Sequence, residues 1–406
     1  MPAMRESLQA FIFSMLLLGC NIAPARARIP TSAFRSGKVR SYNTTSMYGP
    51  DLHDSPSTNV SGNVGNHNPS LHDAPKVSTL APDPPKLGCP AVTGNITVKA
   101  YQLYPEHADF SEDDCLVYLS TIAVYDPYKH KIADTIYLPG LSGDPMLHMS
   151  GVVVDPQGLL SVIVDAGAAF DTQGQDISGE NFLVKVDPAQ GKVLWQRNLT
   201  AVTNGVYGGY QDAAHDTHGN TFVVGTFPTS IVKVGPNGST ALPWYLQPQP
   251  NQTVAGLSGI AASGDMLLAT DSSDGQLYRF NMTERMGHKV QVPLKASNAT
   301  RIGNSLDGIL LPNQFNGTIL LVSDNTDGTI VLRSADGLWT SAEMMGTVPN
   351  LYLKQNGFSV DNVEIGGSLY SVIEFFLDEK VSGTLAGNRT YFPMVDITRE
   401  VLKLLK

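Results

Sequence analysis

Five short polar residues stand before equivalent apolar segments of the chain, and each is followed by Gly, Ala or Asn. They are Ser150, Asp212, Ser258, Asp307 and Asp361. Converging carboxylates could bind a hard divalent cation or supply general acid and base groups with raised pKa values. Alternatively, Asp and Ser at strand starts cap turns by bonding to their own backbone. Capping is favoured for Ser258 and Asp361, and chemistry for Asp212 and Asp307.

Three further titratable side chains stand near these segments. His148 precedes the first segment, and its unperturbed pKa near neutrality suits a general acid or base, although a surface loop could also hold a histidine there. Asp171 lies in the long stretch 166–181, which predicts a lid over a ligand in preference to a solvated loop. Glu374 stands between two apolar residues, where burial would raise its pKa.

Aromatic residues close to the polar ones could form a wall for an apolar ligand. The candidates are Tyr207, Tyr210 and Phe227, with Gln211 and Asn304 as polar partners in substrate binding. Ordinary core packing is the alternative interpretation for the aromatic side chains.

An internal repeat predicts the elements that position these residues. The segment HMSGVVVDPQGLLSVIVDAG, starting at His148, indicates strand, tight turn and strand, because β-branched residues flank an Asp-Pro-x-Gly break. Related segments begin at Tyr210, Leu257, Leu306 and Val360. Their spacing of roughly 50 residues is typical of propeller blades with about four strands each. The sequence therefore predicts an all-β, six-bladed β-propeller.

The strands of the first set are predicted in NITVKAYQLYP, CLVYLST, IAVYDPYKHK and IADTIYLP. Because an unclosed ring would expose sheet edges, a strand near residues 96–101 and the C-terminal YFPMVDI segment should share the closing blade. The loops that enter the innermost strands share one face with the loops between second and third strands. This face, over the central channel, is the candidate site. His215 and His218 fall in a turn on the opposite face.

Composition limits the possible functions. The 406 residues carry a net charge of −10, and only 16% are charged, whereas Gly (38) and Pro (26) are plentiful. Such a chain suits strands and turns, and its negative charge disfavours a nucleic-acid partner. G-x-S-x-G, H-E-x-x-H, Walker and dinucleotide-binding motifs are absent from the sequence. We expect a monomer without a cofactor, calcium being the one candidate.

The N-terminal part carries targeting signals. Residues 1–27 predict a secretory signal peptide, 28–88 a disordered leader rich in Ser, Pro and Asn, and 89–406 the propeller. The apolar run within the signal is too short to span a membrane. Leu-Gly-Cys ending at Cys20 also resembles a bacterial lipoprotein box, an alternative that the many glycosylation sequons disfavour. The protein is therefore expected to be secreted or to reside in the secretory lumen.

Two sequence features fit an oxidising secretory compartment. Ten N-x-[ST] sequons predict N-glycosylation. They are Asn43, Asn59, Asn95, Asn198, Asn237, Asn251, Asn281, Asn298, Asn316 and Asn388. Cys89 and Cys115 remain after signal removal and are predicted to form a disulfide, with free buried thiols as the alternative.

Several long segments resemble a known fungal family. LYPEHADFSEDDCLVYLSTIAVYDPYKHKI, SGDPMLHMSGVVVDPQGLLSVIVDAGAAFDTQGQDISGENFLVKVDP, TNGVYGGYQDAAHDTHGNTFVVGTFPTSIVKV and GNSLDGI are similar to secreted propeller-like proteins encoded in trichothecene biosynthetic clusters. The resemblance covers residues 89–406 and implies a link to sesquiterpenoid toxin production or virulence.

A remoter resemblance concerns the repeat itself, which is similar to gluconolactonase and strictosidine-synthase propellers. In that group a Glu, an Asn and an Asp hold calcium at the channel mouth. The resemblance implies Glu374, Asn304 and Asp307 as the corresponding ligands. However, Asn304 and Asp307 share one loop, which departs from the pattern of the group.

Three functions follow as hypotheses. The first is an acid/base cyclase that closes a ring on a small apolar, hydroxylated terpenoid with loss of water. His148 or Asp171 would donate the proton, and Asp212 or Asp307 would activate the attacking hydroxyl. The second is a calcium-dependent lactonase or esterase. The third is a non-catalytic virulence factor that binds toxin or a host protein, since fold does not imply function.

Overall fold

The computed structural model describes residues 88–295, 300–384 and 386–406. The predicted signal peptide, all but the last residue of the predicted leader, and the sequons Asn43, Asn59 and Asn298 lie outside these residues. Within the described part, the strands form six antiparallel four-stranded sheets arranged as a six-bladed β-propeller. The fold predicted from the repeat is confirmed.

The strands are numbered in chain order. β1 spans Ile96–Lys99. Blade 1 contains β2 (Ala108–Ser111), β3 (Leu116–Leu119), β4 (Ala123–Asp126) and β5 (Lys131–Thr135). Blade 2 contains β6 (Leu147–Val154), β7 (Leu160–Ala166), β8 (Phe182–Asp187) and β9 (Lys192–Asn198). Blade 3 contains β10 (Gly208–His215), β11 (Thr221–Phe227), β12 (Ser230–Val234) and β13 (Ala241–Leu246).

The second half continues the pattern. Blade 4 contains β14 (Leu257–Ser263), β15 (Met266–Asp271), β16 (Gln276–Asn281) and β17 (Val290–Gln291). Blade 5 contains β18 (Leu306–Leu310), β19 (Ile319–Asp324), β20 (Gly328–Arg333) and β21 (Glu343–Pro349). Blade 6 contains β22 (Phe358–Ile365), β23 (Ser368–Glu374), β24 (Tyr391–Asp396) and β1. The described residues also contain three short α-helices: α1 (Ala168–Asp171), α2 (Leu199–Val202) and α3 (Thr398–Leu404).

The ring closes by pairing its first strand with its last. β1 runs antiparallel to β24, with Ile96 opposite Met394, as predicted. The predicted first set of strands is wrong in one member, because NITVKAYQLYP supplies β1 of the closing blade. The innermost strand of blade 1 is β2, in the polar segment ADFS, which carries too few apolar residues to stand out as a strand.

The apolar core lies between neighbouring blades. β7 and β11 are buried at every position because each is a second strand with a blade packed on both faces. Ile163 of blade 2, for example, packs in one cluster with Tyr210 and Val223 of blade 3. The outer strand β9 instead alternates between exposed and less exposed residues.

The innermost strands approach one another very closely, which explains the glycines of the repeat. A Cβ atom on Gly151 would lie 2.5 Å from the carbonyl oxygen of Gln211 in the next blade. A Cβ atom on Gly259 would lie 2.4 Å from the carbonyl oxygen of Asp307. Inner strands also shift register beside the repeated polar residue, as between Tyr210 and Asp212, and such bulges re-aim side chains.

The described part bears on the remaining sequence features. Cys89 and Cys115 form the predicted disulfide, with their Cα atoms 5.5 Å apart. Six of the sequon asparagines are exposed, and Asn198 is half-buried at the N-cap of α2. The exposed ones are Asn95, Asn237, Asn251, Asn281, Asn316 and Asn388. None of the helices in the described residues is long and apolar enough to cross a membrane.

Candidate functional site at the channel mouth

The repeated aspartates hold neighbouring blades together. The bulge of β10 turns the Asp212 carboxylate toward blade 4, where Oδ2 accepts the N–H of Ile260 at 2.8 Å. Its Oδ1 accepts the N–H of Ala213 at 2.7 Å. Asp361 likewise accepts the N–H of Ala108, in blade 1, at 3.1 Å. The capping interpretation therefore holds for both residues, extended to bonds between blades, although it was favoured only for Asp361.

Blade 1 has its own copy of this aspartate, which the sequence analysis missed. Asp109 accepts the N–H of Phe110 at 2.8 Å and the N–H of Val154, in blade 2, at 2.8 Å. The pattern is the one that Asp212 makes. It escaped detection because no glycine, alanine or asparagine follows Asp109 to align it with the repeat.

The hydroxyl groups of the two serines at the repeated position are also hydrogen-bonded. The Ser150 hydroxyl donates to the carbonyl oxygen of Tyr210 in blade 3 at 2.9 Å. Ser258 shares a hydrogen bond with Thr270 at 3.3 Å within blade 4. Both side chains are buried and hydrogen-bonded, so neither hydroxyl group is available to act on a ligand.

His107 spans the channel. Its Nε2 lies 3.1 Å from Asp212 of blade 3, and its Nδ1 lies 3.5 Å from Asp361 of blade 6. These blades face each other across a ring of six. Burial alone would lower the pKa of His107, but the carboxylates of Asp361 and Asp212 outweigh it and raise the pKa to about 10. His107 is therefore a cation at neutral pH that bridges opposite walls. The sequence analysis assigned His148 to this region and missed His107.

Three carboxyl groups beside this bridge have no basic partner among the described residues. Burial and the neighbouring Asp307 raise the pKa of Glu374 to about 8. Burial raises the pKa of Asp307 to about 7, although the Asn325 side chain donates to it at 2.7 Å. Burial, Glu374, Asp165 and Asp307 together raise the pKa of Glu106 well above its usual range. We call Glu106, Asp307 and Glu374 the acidic cluster.

The predicted lid loop lies across the mouth. Asp171, at the end of α1 in blade 2, forms an ion pair of 2.7 Å with Lys380, in the connection after β23 of blade 6. Phe170 packs edge-on against Phe227 of blade 3, with ring centroids 5.5 Å apart. The loop thus contacts blades on both sides of its own, which is the geometry that a cover over the channel requires.

His148 lies beneath this loop. It occupies β6 opposite Asp165, rather than preceding the strand. Burial lowers its pKa; Asp171 acts in the opposite sense, and Lys380 lowers it further. His148 is therefore mostly neutral at neutral pH, which makes it a poor proton donor.

The predicted aromatic wall is not in the channel. Tyr210 is fully buried between blades 2 and 3, and its hydroxyl lies 3.2 Å from that of Thr203. Tyr207 is buried and donates to the carbonyl oxygen of Gln247 at 3.0 Å. Phe227 alone is near the mouth, under the lid loop. The prediction of a wall is wrong for both tyrosines, because aromatic residues at blade interfaces fill the core.

The two polar partners proposed with the wall differ in exposure. Gln211 is buried, and its backbone packs against Gly151 of blade 2. Asn304 is exposed, and its backbone N–H donates to Asp324 at 2.8 Å. The calcium ligands implied by the remote resemblance would need Asn304 beside Glu374 and Asp307. Among the described residues, His, Cys, Asp and Glu side chains form no group of three or more that could hold a metal ion.

The opposite face carries the histidine turn, as predicted. His215 ends β10, where its Nε2 lies 2.9 Å from the Ser161 hydroxyl, and burial lowers its pKa to about 3. The Ser161 hydroxyl also accepts a bond from Lys185 at 3.0 Å, and Lys185 pairs with Asp155 at 2.5 Å. This is a buried network at a blade interface.

Comparison with known proteins gives two relatives that match most of the chain. Trichothecene biosynthesis protein 14 of Trichoderma arundinaceum is 32% identical over 335 residues, which cover 77% of this chain and 90% of the relative. Core trichothecene cluster protein 14 of Fusarium sporotrichioides is 30% identical over 335 residues, covering 77% and 87%. No family model matches the chain.

Solved structures support the architecture. The Malassezia sympodialis allergen Mala s 1 aligns with a TM-score of 0.65 at 21% identity, covering 75% of this chain and 96% of the allergen. A gluconolactonase from Xanthomonas campestris aligns with a TM-score of only 0.45 at 13% identity, covering 77% and 96%. The first likeness shows the fold, and the second is too weak to carry an argument about activity.

Proposed function

Because the chain belongs to the family of trichothecene biosynthesis protein 14, we propose that it acts in the biosynthesis of a trichothecene-type sesquiterpenoid. We propose further that the channel mouth catalyses an acid/base ring closure on a hydroxylated terpenoid intermediate, with loss of water. The observation that carries this proposal is the acidic cluster, where half-buried carboxyl groups with raised pKa values stand together without a basic partner among the described residues.

The raised pKa values divide the roles. Glu374, with a pKa of about 8, is protonated at neutral pH and donates its proton to the departing hydroxyl. Asp307, with a pKa of about 7, is about half ionised there, and its ionised form accepts the proton of the attacking hydroxyl. One C–O bond forms and one breaks, Glu374 loses a proton, Asp307 gains one, and a water molecule leaves. A proton transfer between the two neighbouring carboxyl groups restores the starting state.

The other candidates from the sequence take different roles. Asp212 already accepts two backbone N–H groups and contacts His107, so its oxygens hold the ring rather than a substrate. Asp171 is tied to Lys380 at the lid, and the neutral His148 supplies no proton. We therefore assign Glu374 as the acid and Asp307 as the base, and exclude His148, Asp171 and Asp212 from these two roles.

The test is an assay of the purified full chain with hydroxylated sesquiterpenoid intermediates of the pathway, read by mass spectrometry. The expected product is lighter than its substrate by one water molecule. Asp307→Asn should abolish it, whereas Asn304→Ala, which changes an exposed neighbour on the same loop, should not. Unchanged substrate with the intact protein would contradict the cyclase. If a host protein or toxin were bound instead, the non-catalytic alternative would replace it.

We also propose that the protein is glycosylated in the secretory pathway. The disulfide and the exposed sequon asparagines support this proposal. Enzymatic removal of N-glycans from protein purified out of a fungal culture medium should lower its mass. Recovery of unglycosylated protein from the cytosol alone would contradict it.

A further inference from the structure

A short turn beside the acidic cluster carries an asparagine that the mechanism above does not use. Asn325 follows β19 on the mouth face, and its side-chain nitrogen donates to Oδ2 of Asp307 at 2.7 Å. The same nitrogen donates to the carbonyl oxygen of Ser359, in blade 6, at 3.2 Å. Both N–H bonds of the amide are therefore used, one for the proposed base and one for the neighbouring blade.

The surroundings of Asn325 fix which way its amide points. The carbonyl oxygen of Ser359 can only accept, so the amide nitrogen must face it, and an ionised Asp307 has the same requirement. On the other side of the amide, the Ser305 hydroxyl donates to Oδ1 of Asn325 at 3.0 Å. A flipped amide would place its oxygen against two acceptors. Asn325 therefore presents a fixed donor to Asp307.

The preceding residue, Asp324, holds this turn against the start of β18. Its carboxylate accepts the backbone N–H of Thr326, within the turn, at 3.1 Å. It also accepts the backbone N–H groups of Asn304 and Ser305, just before β18, at 2.8 and 3.0 Å. Asp324 is fully buried. The donor and its acceptor are thus carried by two segments that one buried carboxylate ties together.

The corresponding turn of blade 4 shows what a structural role alone requires. The sequence DSSDG begins at the last residue of β15, as DNTDG begins at the last residue of β19, so Ser272 stands where blade 5 has Asn325. The Ser272 hydroxyl donates to the carbonyl oxygen of Leu306, in the next blade, at 2.9 Å. One donor is therefore enough to join neighbouring blades at this position. The asparagine supplies a second donor, and that donor goes to Asp307.

We propose that Asn325 is a positioning residue, which stabilises the ionised form of Asp307 and leaves Oδ1 of that carboxylate to accept the proton of the attacking hydroxyl. This inference rests on the proposed function for the role of Asp307 as the base. A hydrogen bond donated to a carboxylate favours the ionised form, and bonds to ionised acceptors are the stronger ones. Among the described residues, Asn325 is the one whose side chain donates to Asp307, so it opposes the burial that raises the pKa of this group.

The matched variant is Asn325→Ser, which removes the donor to Asp307. It keeps a hydroxyl for the bond to the next blade, as Ser272 does in blade 4. Difference infrared spectroscopy of the full chain without substrate follows the carbonyl band of protonated Asp307, which is identified by its absence in Asp307→Asn. This band should titrate near pH 7 in the intact protein. In Asn325→Ser it should titrate about one pH unit higher or more, because a bond to a charged group is lost. An unchanged titration in folded Asn325→Ser would overturn the inference.

A control in blade 4 separates this role from a general loosening of the ring. Ser272→Ala removes the corresponding bond between blades, and Asp307 should then titrate at its original pH. Asn325→Ser should keep the melting temperature within about 2 °C of that of the intact protein. An equal shift of the titration in both variants would assign the effect to the ring and overturn the inference.

Turnover links the titration to the reaction. The low-pH limb of the pH–rate profile should move upward in Asn325→Ser by the same amount as the infrared titration, which lowers turnover there about tenfold for each pH unit. If the intact protein showed no turnover, the proposed function would fail. The infrared titration would still decide whether Asn325 stabilises the ionised form of Asp307.

Discussion

On the face opposite the mouth, three aspartates each cap a turn with Oδ1 and pair with a lysine. They are Asp126 with Lys129, Asp155 with Lys185 and Asp216 with Lys233. At the mouth, the acidic cluster contains the same chemical group, but no lysine or arginine is paired with it among the described residues. The first arrangement lowers the energy of a charged carboxylate, and the second raises it. Acids with missing counter-charges are therefore the better guide to chemistry in this ring.

The largest effect on stability is expected when a lysine is removed from the face opposite the mouth. Lys185→Met leaves Asp155 buried without its partner, and breaking a buried pair costs about 3–5 kcal/mol. Urea denaturation should show this loss of unfolding free energy. Turnover per folded molecule should be unchanged, because Lys185 lies away from the mouth. A stable variant would mean that the pair holds little of the blade interface together.

Removing an acid from the mouth should give the opposite result. Glu374→Gln removes the proton donor, and general acid catalysis contributes about 10²–10⁴-fold to rates. We expect turnover to fall by about that factor, while the unfolding free energy stays equal or rises, because a repelled carboxyl group is gone. Single-turnover kinetics and urea denaturation on the same preparation measure both. A stability loss comparable to that of Lys185→Met would place Glu374 among the structural acids.

Stability should fall as pH rises. Asp307, Asp361 and Glu374 have folded pKa values of about 7, 7 and 8, above their unfolded values, so the folded state retains protons that the unfolded state has released. Each retained proton lowers stability by about 1.4 kcal/mol per pH unit between the two values. His107 extends the decline, since its stabilisation is complete below about pH 6.5 and is lost as pH rises through about 10.

Melting curves from pH 4 to pH 9 test this slope. The stability maximum should lie near pH 4–5, below the common range of about 5–8. Glu374→Gln should make the slope shallower by about one proton between pH 4.5 and pH 8. A stability maximum at pH 7 or above would contradict the assigned environment of the acidic cluster.

The smallest effect belongs to the lid. Asp171 and Lys380 are each about 40% exposed, and such pairs contribute about 0–1 kcal/mol. Asp171→Asn should barely change the melting temperature, yet it should speed release of the dehydrated product, because the loop loses its contact with blade 6. Stopped-flow measurement of the release rate, with Asp176→Asn in the same loop as control, tests this. An unchanged rate would show that the loop is not a cover.

The sequence predicts the ring well and the site only partly. The glycines of the innermost strands and the alternation of strand and turn signals can be read from short stretches of sequence. The blades and their closure by β1 and β24 were therefore predictable. Asp307 and Glu374 were found because they stand in or beside repeated segments. Glu106 and His107 precede β2, whose short polar sequence matches no other blade, so only the three-dimensional structure brings them to the mouth.

The sequence also could not predict which side chains are already occupied by hydrogen bonds. Position in the repeat correctly located Asp212, but only the observed bonds show that its oxygens are occupied. Conversely, Asn325 was overlooked because an amide in a short turn gives no sign that it donates to Asp307. Sequence patterns report where a side chain stands, whereas hydrogen bonding and charge balance depend on residues far away in the chain.

The union of the first and last strands sets the order in which the protein can mature during synthesis. β24 leaves the ribosome after every other strand, and until it does, β1 has no neighbour to join. His107 meets Asp361 only when the sixth blade docks beside the first. A nascent chain therefore carries the residues of the mouth unassembled until β24 has paired with β1.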